Sequence, residues 1–459
     1  MKPCILALLA AAAGAQTVDL TKPPETPPLA DYKLPPVTLT RAANGLRVFV
    51  VEDKRFPIVT VRWGFQAGSK FDPENLSGLA ETTAALLKEG TPTRTSREIA
   101  EELATIGGAI SASTTPDHVI LSASALAEHL PKLMEILGDV VLNPSFPEEE
   151  LELYKQNRIQ ELLAARSQAD TLADERFNQA IYGKHPYARI LPAGDSVARI
   201  TRKDVMAFYS KYFAPNNSVL IAVGSIPGKI PLPSAYSDWK RKDAPSPPTA
   251  AIPAPERRLI LVDRPGSVQA DVRVGQVAVK RSSPEYFPLL VTNSMLGGGM
   301  NSRMFREIRE KKGYAYDAHS EFVPRLEAGS LAAVTQVRNE VAQTALEDLL
   351  AIMKDLGHTP APAAELATAK NFLSGTFVLS VETQQGLADR LASVKLYGLP
   401  DDYLDKYVTR IRSVEPAQVR SVASKYIDAG DSALVVVGDA SKIAKDLEKL
   451  GKFTVEKPQ

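Results

Sequence analysis

The chain has 459 residues, of which 44% are hydrophobic and 24% are charged, so it can bury a sizeable core and its length favours two or three domains. Its 54 basic residues equal its 54 acidic residues, which argues against nucleic acid as the main partner because no net positive field attracts a polyanion. Cys4 is the one cysteine, which excludes a disulfide framework and a thiol nucleophile in the body of the chain.

The first fifteen residues have the pattern of a secretory signal peptide. Lys2 gives a positive start, residues 5–13 form a short apolar run, and Ala13-Gly14-Ala15 has the small-x-small form of a cleavage site. The apolar run is too short to cross a bilayer, and a retained anchor is the alternative. No later segment is long and apolar enough for a membrane helix. The sequence therefore predicts an exported, periplasmic protein with a signal peptide at 1–15 and no integral membrane segment.

Two proline-rich stretches divide the rest of the chain. The first, at 16–36, predicts an extended lead-in. The second, at 227–256, predicts an interdomain linker, because proline fits neither a helix interior nor a central strand. The predicted domains are 37–226 and 257–459.

The first domain mixes strands and helices without strict alternation. Asn44-Gly45 is a hairpin signal that favours pairing of the first two strands, and Ser145 and Glu148 form a capping box that opens a long helix. The predicted elements are strands at 46–52 and 58–65, helices at 78–88 and 96–106, strands at 109–113 and 118–124, and a helix from 148 to about 165. This order predicts an α+β fold, with helices packed on a mixed, largely antiparallel sheet.

The second domain repeats this theme. The predicted elements are strands at 259–262 and 270–277, helices at 286–296 and 302–312, and strands at 315–323 and 329–334. A helix and an apolar strand before the linker recur near the end of the chain, where Ser432 and Gly438 repeat Ser218 and Gly224 at one offset of 214 residues. Any helix followed by an apolar strand could resemble this, but a register kept without a gap favours a duplication. We expect two homologous domains that face each other as a clamshell.

Three stretches resemble segments of the insulinase/pitrilysin-like zinc metallopeptidases. Residues 78–91, which read Gly-Leu-Ala-Glu-Thr-Thr-Ala-Ala-Leu-Leu-Lys-Glu-Gly-Thr, resemble the family's zinc helix with its inverted motif His-x-x-Glu-His. Residues 143–147 and the helix after them resemble the segment that carries the distal glutamate ligand. Residues 296–316 are similar to the family's C-terminal substrate-clamp motif, the most specific of the three. The resemblance covers about residues 37–450 and implies the bacterial two-domain form.

The zinc-helix stretch departs from the family's motif. Glu81 replaces the first histidine, Ala84 replaces the catalytic glutamate and Ala85 replaces the second histidine, while Glu161 matches the distal ligand. Alanine can neither donate a lone pair to zinc nor accept a proton. The resemblance therefore implies no zinc on this chain and no proteolysis by this chain alone. For Glu81 and Glu161, a solvated or hydrogen-bonded pair is favoured over a loosely held hard cation.

The clamp motif is intact. Arg309 and Tyr316 match the family's arginine and tyrosine, which bind the backbone of an extended peptide and face the zinc across the cleft in active enzymes. Guanidinium and phenol donors suit a peptide carbonyl. The alternative is an ordinary amphipathic helix whose arginines are solvated.

A chain that keeps the clamp without the zinc ligands is typical of a non-catalytic subunit. In the bacterial two-subunit forms of the family, one chain carries zinc and the other supplies the arginine and tyrosine. We therefore expect the substrate-binding subunit of a heterodimeric periplasmic zinc endopeptidase, paired with a homologous zinc-bearing subunit and binding unstructured peptides. A peptide-binding scaffold or holdase of the cell envelope is the alternative, and an active peptidase with unusual ligands is the least favoured hypothesis.

Overall fold

Two six-stranded sheets, each covered by helices, organise the protein. The computed structural model describes residues 32–226, 228–230, 232, 235–243 and 250–458. The expected signal peptide at 1–15 and most of the lead-in at 16–36 lie outside these residues. None of the described helices combines the length and apolar character needed to span a bilayer.

The strands and helices follow the predicted order, with additional elements between them. The strands are β1 (Val37–Arg41), β2 (Arg47–Glu52), β3 (Ile58–Phe65), β4 (Ala109–Thr114), β5 (Val119–Leu126), β6 (Ser218–Gly224), β7 (Arg258–Asp263), β8 (Gln269–Ala278), β9 (Ala315–Val323), β10 (Gly329–Arg338), β11 (Ala433–Gly438) and β12 (Thr454–Glu456). The helices are α1 (Leu79–Leu86), α2 (Ser96–Thr105), α3 (Leu130–Leu142), α4 (Glu148–Arg166), α5 (Ala169–Tyr182), α6 (Gly194–Arg199), α7 (Arg202–Tyr212), α8 (Ala235–Asp238), α9 (Tyr286–Gly297), α10 (Ala342–His358), α11 (Ala363–Val381), α12 (Gln384–Leu396), α13 (Tyr407–Arg412), α14 (Pro416–Tyr426) and α15 (Ala440–Leu447).

Both sheets are mixed and largely antiparallel, which confirms the predicted fold class. The strand order is β1-β2-β6-β3-β5-β4 in the first sheet and β12-β7-β11-β8-β10-β9 in the second. The predicted pairing of the first two strands was wrong, because β6 lies between β2 and β3, and the Asn44-Gly45 turn joins β1 to β2 instead. A hairpin signal fixes a local turn, whereas the second neighbour of β2 comes from far along the chain.

The two halves are homologous, as the repeat predicted. Gly64 on β3 pairs with Ile120 on β5, and Gly275 on β8 pairs with Ala332 on β10 in the same way. This register makes each β3 position equivalent to the residue 211 positions later, and each β5 position equivalent to the residue 212 positions later. The same rule identifies equivalent residues in the loops that continue these strands.

The halves are interlocked by an exchange of helices. Helix α5, from the first half, packs on β8 and β11 of the second sheet, and α12, from the second half, packs on β3 and β6 of the first. Apolar side chains make both contacts. Phe177 of α5 and Leu391 of α12 are buried, and each belongs to a separate hydrophobic cluster. Burying these faces against the other half's sheet ties the two halves into one folding unit.

A pair of buried arginines repeats at this exchange. Arg62 Nε on β3 lies 2.5 Å from Asp389 Oδ1 on α12. Arg273 Nε on β8 lies 2.5 Å from Asp174 Oδ1 on α5. Arg62 and Arg273 are equivalent positions, so each half fixes its partner's helix with the same ion pair.

The start of α4 differs from the prediction. The helix begins at Glu148 with Pro147 at the N-cap position and no capping side chain. The predicted capping box at Ser145 was therefore wrong. Ser145 lies two residues before this N-cap, and its N–H donates to the carbonyl of Gly90, 2.9 Å away.

Part of the proline-rich segment 227–256 packs on the first half. The ring of Tyr236 stacks on Trp63 with centroids 5.3 Å apart, and its hydroxyl donates to the carbonyl of Met134 at 2.9 Å. The side chain of Asn44 donates to the carbonyl of Trp239 at 3.1 Å. These residues extend the first hydrophobic core.

Candidate functional site

Helix α1 carries three of the predicted site residues, and Asp72 anchors its start. The Asp72 carboxylate accepts hydrogen bonds from the N–H groups of Gly78 and Ala80, both at 2.8 Å. Burial raises the pKa of Asp72 to about 7 in spite of these two donors. Gly78 has φ 97°, a left-handed conformation that glycine adopts most readily. The helix then buries Ala84 and leaves Glu81 half-buried toward α4.

A guanidinium bridges the two carboxylates of this region. Arg158 Nε lies 3.1 Å from Glu81 Oε1, and Arg158 Nη1 lies 3.1 Å from Glu161 Oε2. Although burial opposes its charge, the Glu81 carboxylate holds the pKa of Arg158 above its usual range. The sequence analysis missed Arg158. Its position three residues before Glu161 on a predicted helix was the available signal, because residues at that spacing share a helix face.

The donor set of this region does not fit zinc. Zinc in a peptidase needs imidazole or carboxylate ligands with free lone pairs, together with a base beside the bound water. Ala84 and Ala85 offer neither, and both carboxylates already contact Arg158. Among the described residues, no group of three or more His, Cys, Asp or Glu side chains could hold a metal ion.

A small pocket opens beside Glu81. Its volume is about 180 Å³, and Asp72, Glu81, Arg189 and Arg325 line it. Arg325 belongs to the turn between β9 and β10, so residues of both halves meet here. The Arg325 guanidinium lies 4.8 Å from the ring of Tyr187 and donates to its carbonyl.

The clamp residues lie on an irregular helix and the strand after it. The segment Phe305–Lys311 is a π-helix where the sequence predicted an ordinary helix over 302–312. A π-helical turn changes the direction of the side chains and is often found at functional sites. Gly313, with φ 61°, then turns the chain into β9.

Arg309 and Tyr316 contact each other. The Arg309 guanidinium lies 4.6 Å from the ring centroid of Phe305 and 4.7 Å from that of Tyr316. Tyr316 is 86% exposed. No carboxylate of the described residues lies within 4.0 Å of the Arg309 guanidinium. The guanidinium is held between two rings, and its donors remain available to a ligand.

The site residues thus form two separate groups. Glu81 and Glu161 share Arg158, and Arg309 contacts Tyr316, while no hydrogen bond, ion pair or ring contact among the described residues joins one group to the other. The first group lies between α1 and α4. The second lies at β9, which is hydrogen-bonded only to β10 within the described sheet and so has a free edge.

Two sequence models of one peptidase family together match most of the chain. The insulinase (peptidase family M16) model matches residues 47–193, and the peptidase M16 inactive domain model matches residues 199–373. The chain belongs to the insulinase family of zinc peptidases, and its second half matches the domain described as inactive.

Relatives from several bacteria match this chain over most of its length. The chain is 26% identical over 411 residues to a Mycobacterium tuberculosis protein named as an uncharacterized zinc protease, covering 88% of this chain and 93% of that one. It is 24% identical over 407 residues to a Bacillus subtilis protein of the same description, covering 87% of this chain and 98% of that one. The crystal structure of a peptidase M16 inactive domain from Pseudomonas fluorescens is 26% identical, with a TM-score of 0.80, and covers 88% of this chain and 98% of that chain.

Proposed function

We propose that this protein is the non-catalytic, substrate-binding subunit of a heterodimeric zinc endopeptidase of the periplasm. Its partner is a homologous chain that carries the zinc, and this chain supplies Arg309 and Tyr316. The contrast between the two groups of site residues supports this function. The carboxylates that match zinc-ligand positions are neutralised by Arg158, whereas no carboxylate within the described part of the chain lies within 4.0 Å of the Arg309 guanidinium.

The free edge of β9 favours an extended peptide as the ligand. An exposed strand edge offers unpaired backbone groups with which a peptide can form a further strand. Tyr316 lies on this strand, close to the guanidinium of Arg309. A peptide along β9 would therefore meet backbone donors and acceptors together with two side-chain donors suited to a carbonyl oxygen.

The test is reconstitution with the zinc-bearing chain that copurifies from the native envelope, using an unstructured, internally quenched peptide. If the Tyr316 hydroxyl stabilises the charge that develops on the carbonyl oxygen, Tyr316→Phe lowers kcat about a hundredfold to a thousandfold. Arg309→Ala raises KM as well, because a charged donor to the ground-state peptide is lost.

Arg306→Ala and Tyr314→Phe are matched controls from the same segment. Arg306 is exposed on the same π-helix, and Tyr314 is half-buried two residues before Tyr316. Both controls should retain turnover. Full turnover by Tyr316→Phe and Arg309→Ala, with complex formation verified by gel filtration, would reject the clamp and favour a peptide-binding scaffold of the cell envelope.

A further inference from the structure

A pocket of the second half is lined by two arginines, Arg281 and Arg410. Arg281 follows β8 and is only 7% exposed, and Arg410 lies half-buried on α13. Among the described residues, no carboxylate oxygen lies within 4.0 Å of either guanidinium. Burying a charge without a counter-ion is unfavourable, so this arrangement calls for a compensating group.

Aromatic rings supply only part of that compensation. The Arg281 guanidinium lies 3.9 Å from the ring centroid of Tyr286 and 4.8 Å from that of Tyr403, and its Nη1 donates to the Tyr403 hydroxyl. The Arg410 guanidinium lies 5.2 Å from the ring centroid of Tyr403 and 5.6 Å from that of Phe287. Ring faces attract a cation but accept no strong hydrogen bond, and a guanidinium has five N–H donors.

The equivalent cation of the first half is fully paired. Lys70, which is equivalent to Arg281 by the strand register, is 3% exposed. Its ammonium lies 3.0 Å from Asp117 Oδ1 and 2.9 Å from Glu327 Oε1. The residue equivalent to Asp117 is Gly329, which has no side chain. The second half therefore keeps the buried cation and lacks the carboxylate that pairs with it.

We propose that this pocket binds an organic oxyanion, a small molecule whose carboxylate or phosphate group pairs with Arg281 and Arg410. The pocket has a volume of about 470 Å³, which is within the range of small-molecule sites and too large for a bare ion. Planar guanidinium groups match the geometry of carboxylate and phosphate oxygens. The largely buried Tyr286 and Tyr403 belong to the pocket lining, and the exposed residues Ser282, Ser413 and Gln418 form the polar rim.

This site is independent of the proposed peptidase function, because none of its lining residues belongs to the Glu81 group or the clamp. The experiment measures thermal stability and calorimetric binding of the full chain with four probes at constant ionic strength. The probes are phenyl phosphate, benzoate, inorganic phosphate and the neutral benzyl alcohol, and sodium chloride balances the salt. We expect saturable binding and a raised Tm with phenyl phosphate, benzoate or both, and neither with benzyl alcohol or chloride.

Variants locate the binding. Arg410→Ala should raise the Kd of whichever probe binds the wild type by about tenfold or more, because one charge-assisted contact is lost. Arg420→Ala, an exposed arginine on α14 outside the pocket lining, should bind like the wild type. Arg281→Lys keeps the charge without the planar fork and should also bind more weakly. A response to benzoate alone assigns a carboxylate ligand, and a response to phenyl phosphate alone assigns a phosphate.

Two results would overturn the proposal. One is the absence of any anion-specific shift in Tm or heat of binding with all probes. The other is binding that Arg410→Ala leaves unchanged while the variant remains folded, since the anion would then bind elsewhere.

Discussion

The two halves have the same fold but differ in the groups that contact their cationic side chains. In the first half, Lys70 pairs with Asp117, and Arg158 bridges two carboxylates. In the second half, Arg281 and Arg309 have aromatic contacts and no carboxylate within ion-pairing distance among the described residues. These two cations of the first half are therefore neutralised by carboxylates, one of which, Glu327, belongs to the second half, whereas Arg281 and Arg309 can still donate to an oxygen atom of a ligand.

The exchanged helices make each half depend on the other for part of its hydrophobic core. Helix α5 completes the core of the second half, and α12 completes that of the first. A substitution on the buried face of either helix therefore also disturbs the sheet of the other half.

The largest expected effect concerns this exchange. Phe177→Ala in α5 removes a buried ring and should lower the free energy of unfolding by about 3–5 kcal/mol, and Leu391→Ala in α12 by about 2–5 kcal/mol. Urea unfolding measures both losses. Hydrogen exchange should then rise in β8 and β11 for Phe177→Ala, and in β3 and β6 for Leu391→Ala. Exchange that rises only in the half that carries the mutated helix would contradict an interlocked fold.

The next largest effect is a pH dependence that comes from two buried groups of the first half, His118 and Asp72. Burial lowers the pKa of His118 to about 4, with Asp117 opposing and Lys70 adding to the shift, and burial raises the pKa of Asp72 to about 7. Between about pH 6.5 and 4, His118 takes up a proton only in the unfolded chain, so acid costs up to about 3 kcal/mol. Between about pH 7 and 4, Asp72 takes up a proton only in the folded chain, so acid adds up to about 4 kcal/mol.

These opposing contributions should nearly cancel in the wild type, and single variants separate them. His118→Phe should become more stable as the pH falls from 7 to 4.5, whereas Asp72→Asn should lose stability over the same range. The equivalent residues of the second half are Ser330 and Ser283, which do not titrate. Denaturant unfolding at several pH values measures the slopes, and equal slopes for the two variants would refute the assignment.

The smallest expected effect concerns Arg158. Glu81→His with Ala85→His places two imidazoles at i and i+4 beside Glu161, yet the guanidinium 3.1 Å from Glu161 competes with a metal ion. Adding Arg158→Ala should tighten zinc binding by about tenfold, as measured by competition with a chromogenic chelator. Neither variant should cleave peptides, because Ala84 cannot act as a base.

Arg166→Ala in the same double-histidine background is the matched control. Arg166 lies on the same helix, but it pairs with Glu175 at 2.7 Å and does not contact Glu81 or Glu161. It should leave the zinc affinity unchanged. Equal affinities with and without Arg158 would show that the guanidinium does not compete with the metal.

The sequence determined the family and the duplicated α+β halves, because these depend on local periodicity and on motifs read in order. From the same motifs it predicts the site residues Glu81, Ala84, Ala85, Glu161, Arg309 and Tyr316. The sequence correctly predicted a hairpin turn at Asn44-Gly45 but assigned it to the wrong pair of strands. It also predicted that Ser145 caps α4, whereas Pro147 is the N-cap residue. Both errors concern a choice between neighbouring strands or neighbouring cap residues, and contacts with distant residues decide that choice.

Only the tertiary structure decided which charges meet. The contact of Arg158 with Glu81, the exchange of α5 and α12, and the contact of Arg281 with Tyr403 all depend on residues far apart in the chain. A helical or strand pattern specifies which face of an element is buried, but not which element covers it. Whether a buried cation is neutralised or left for a ligand is therefore settled by packing, because the energy of a charge depends on every group that surrounds it.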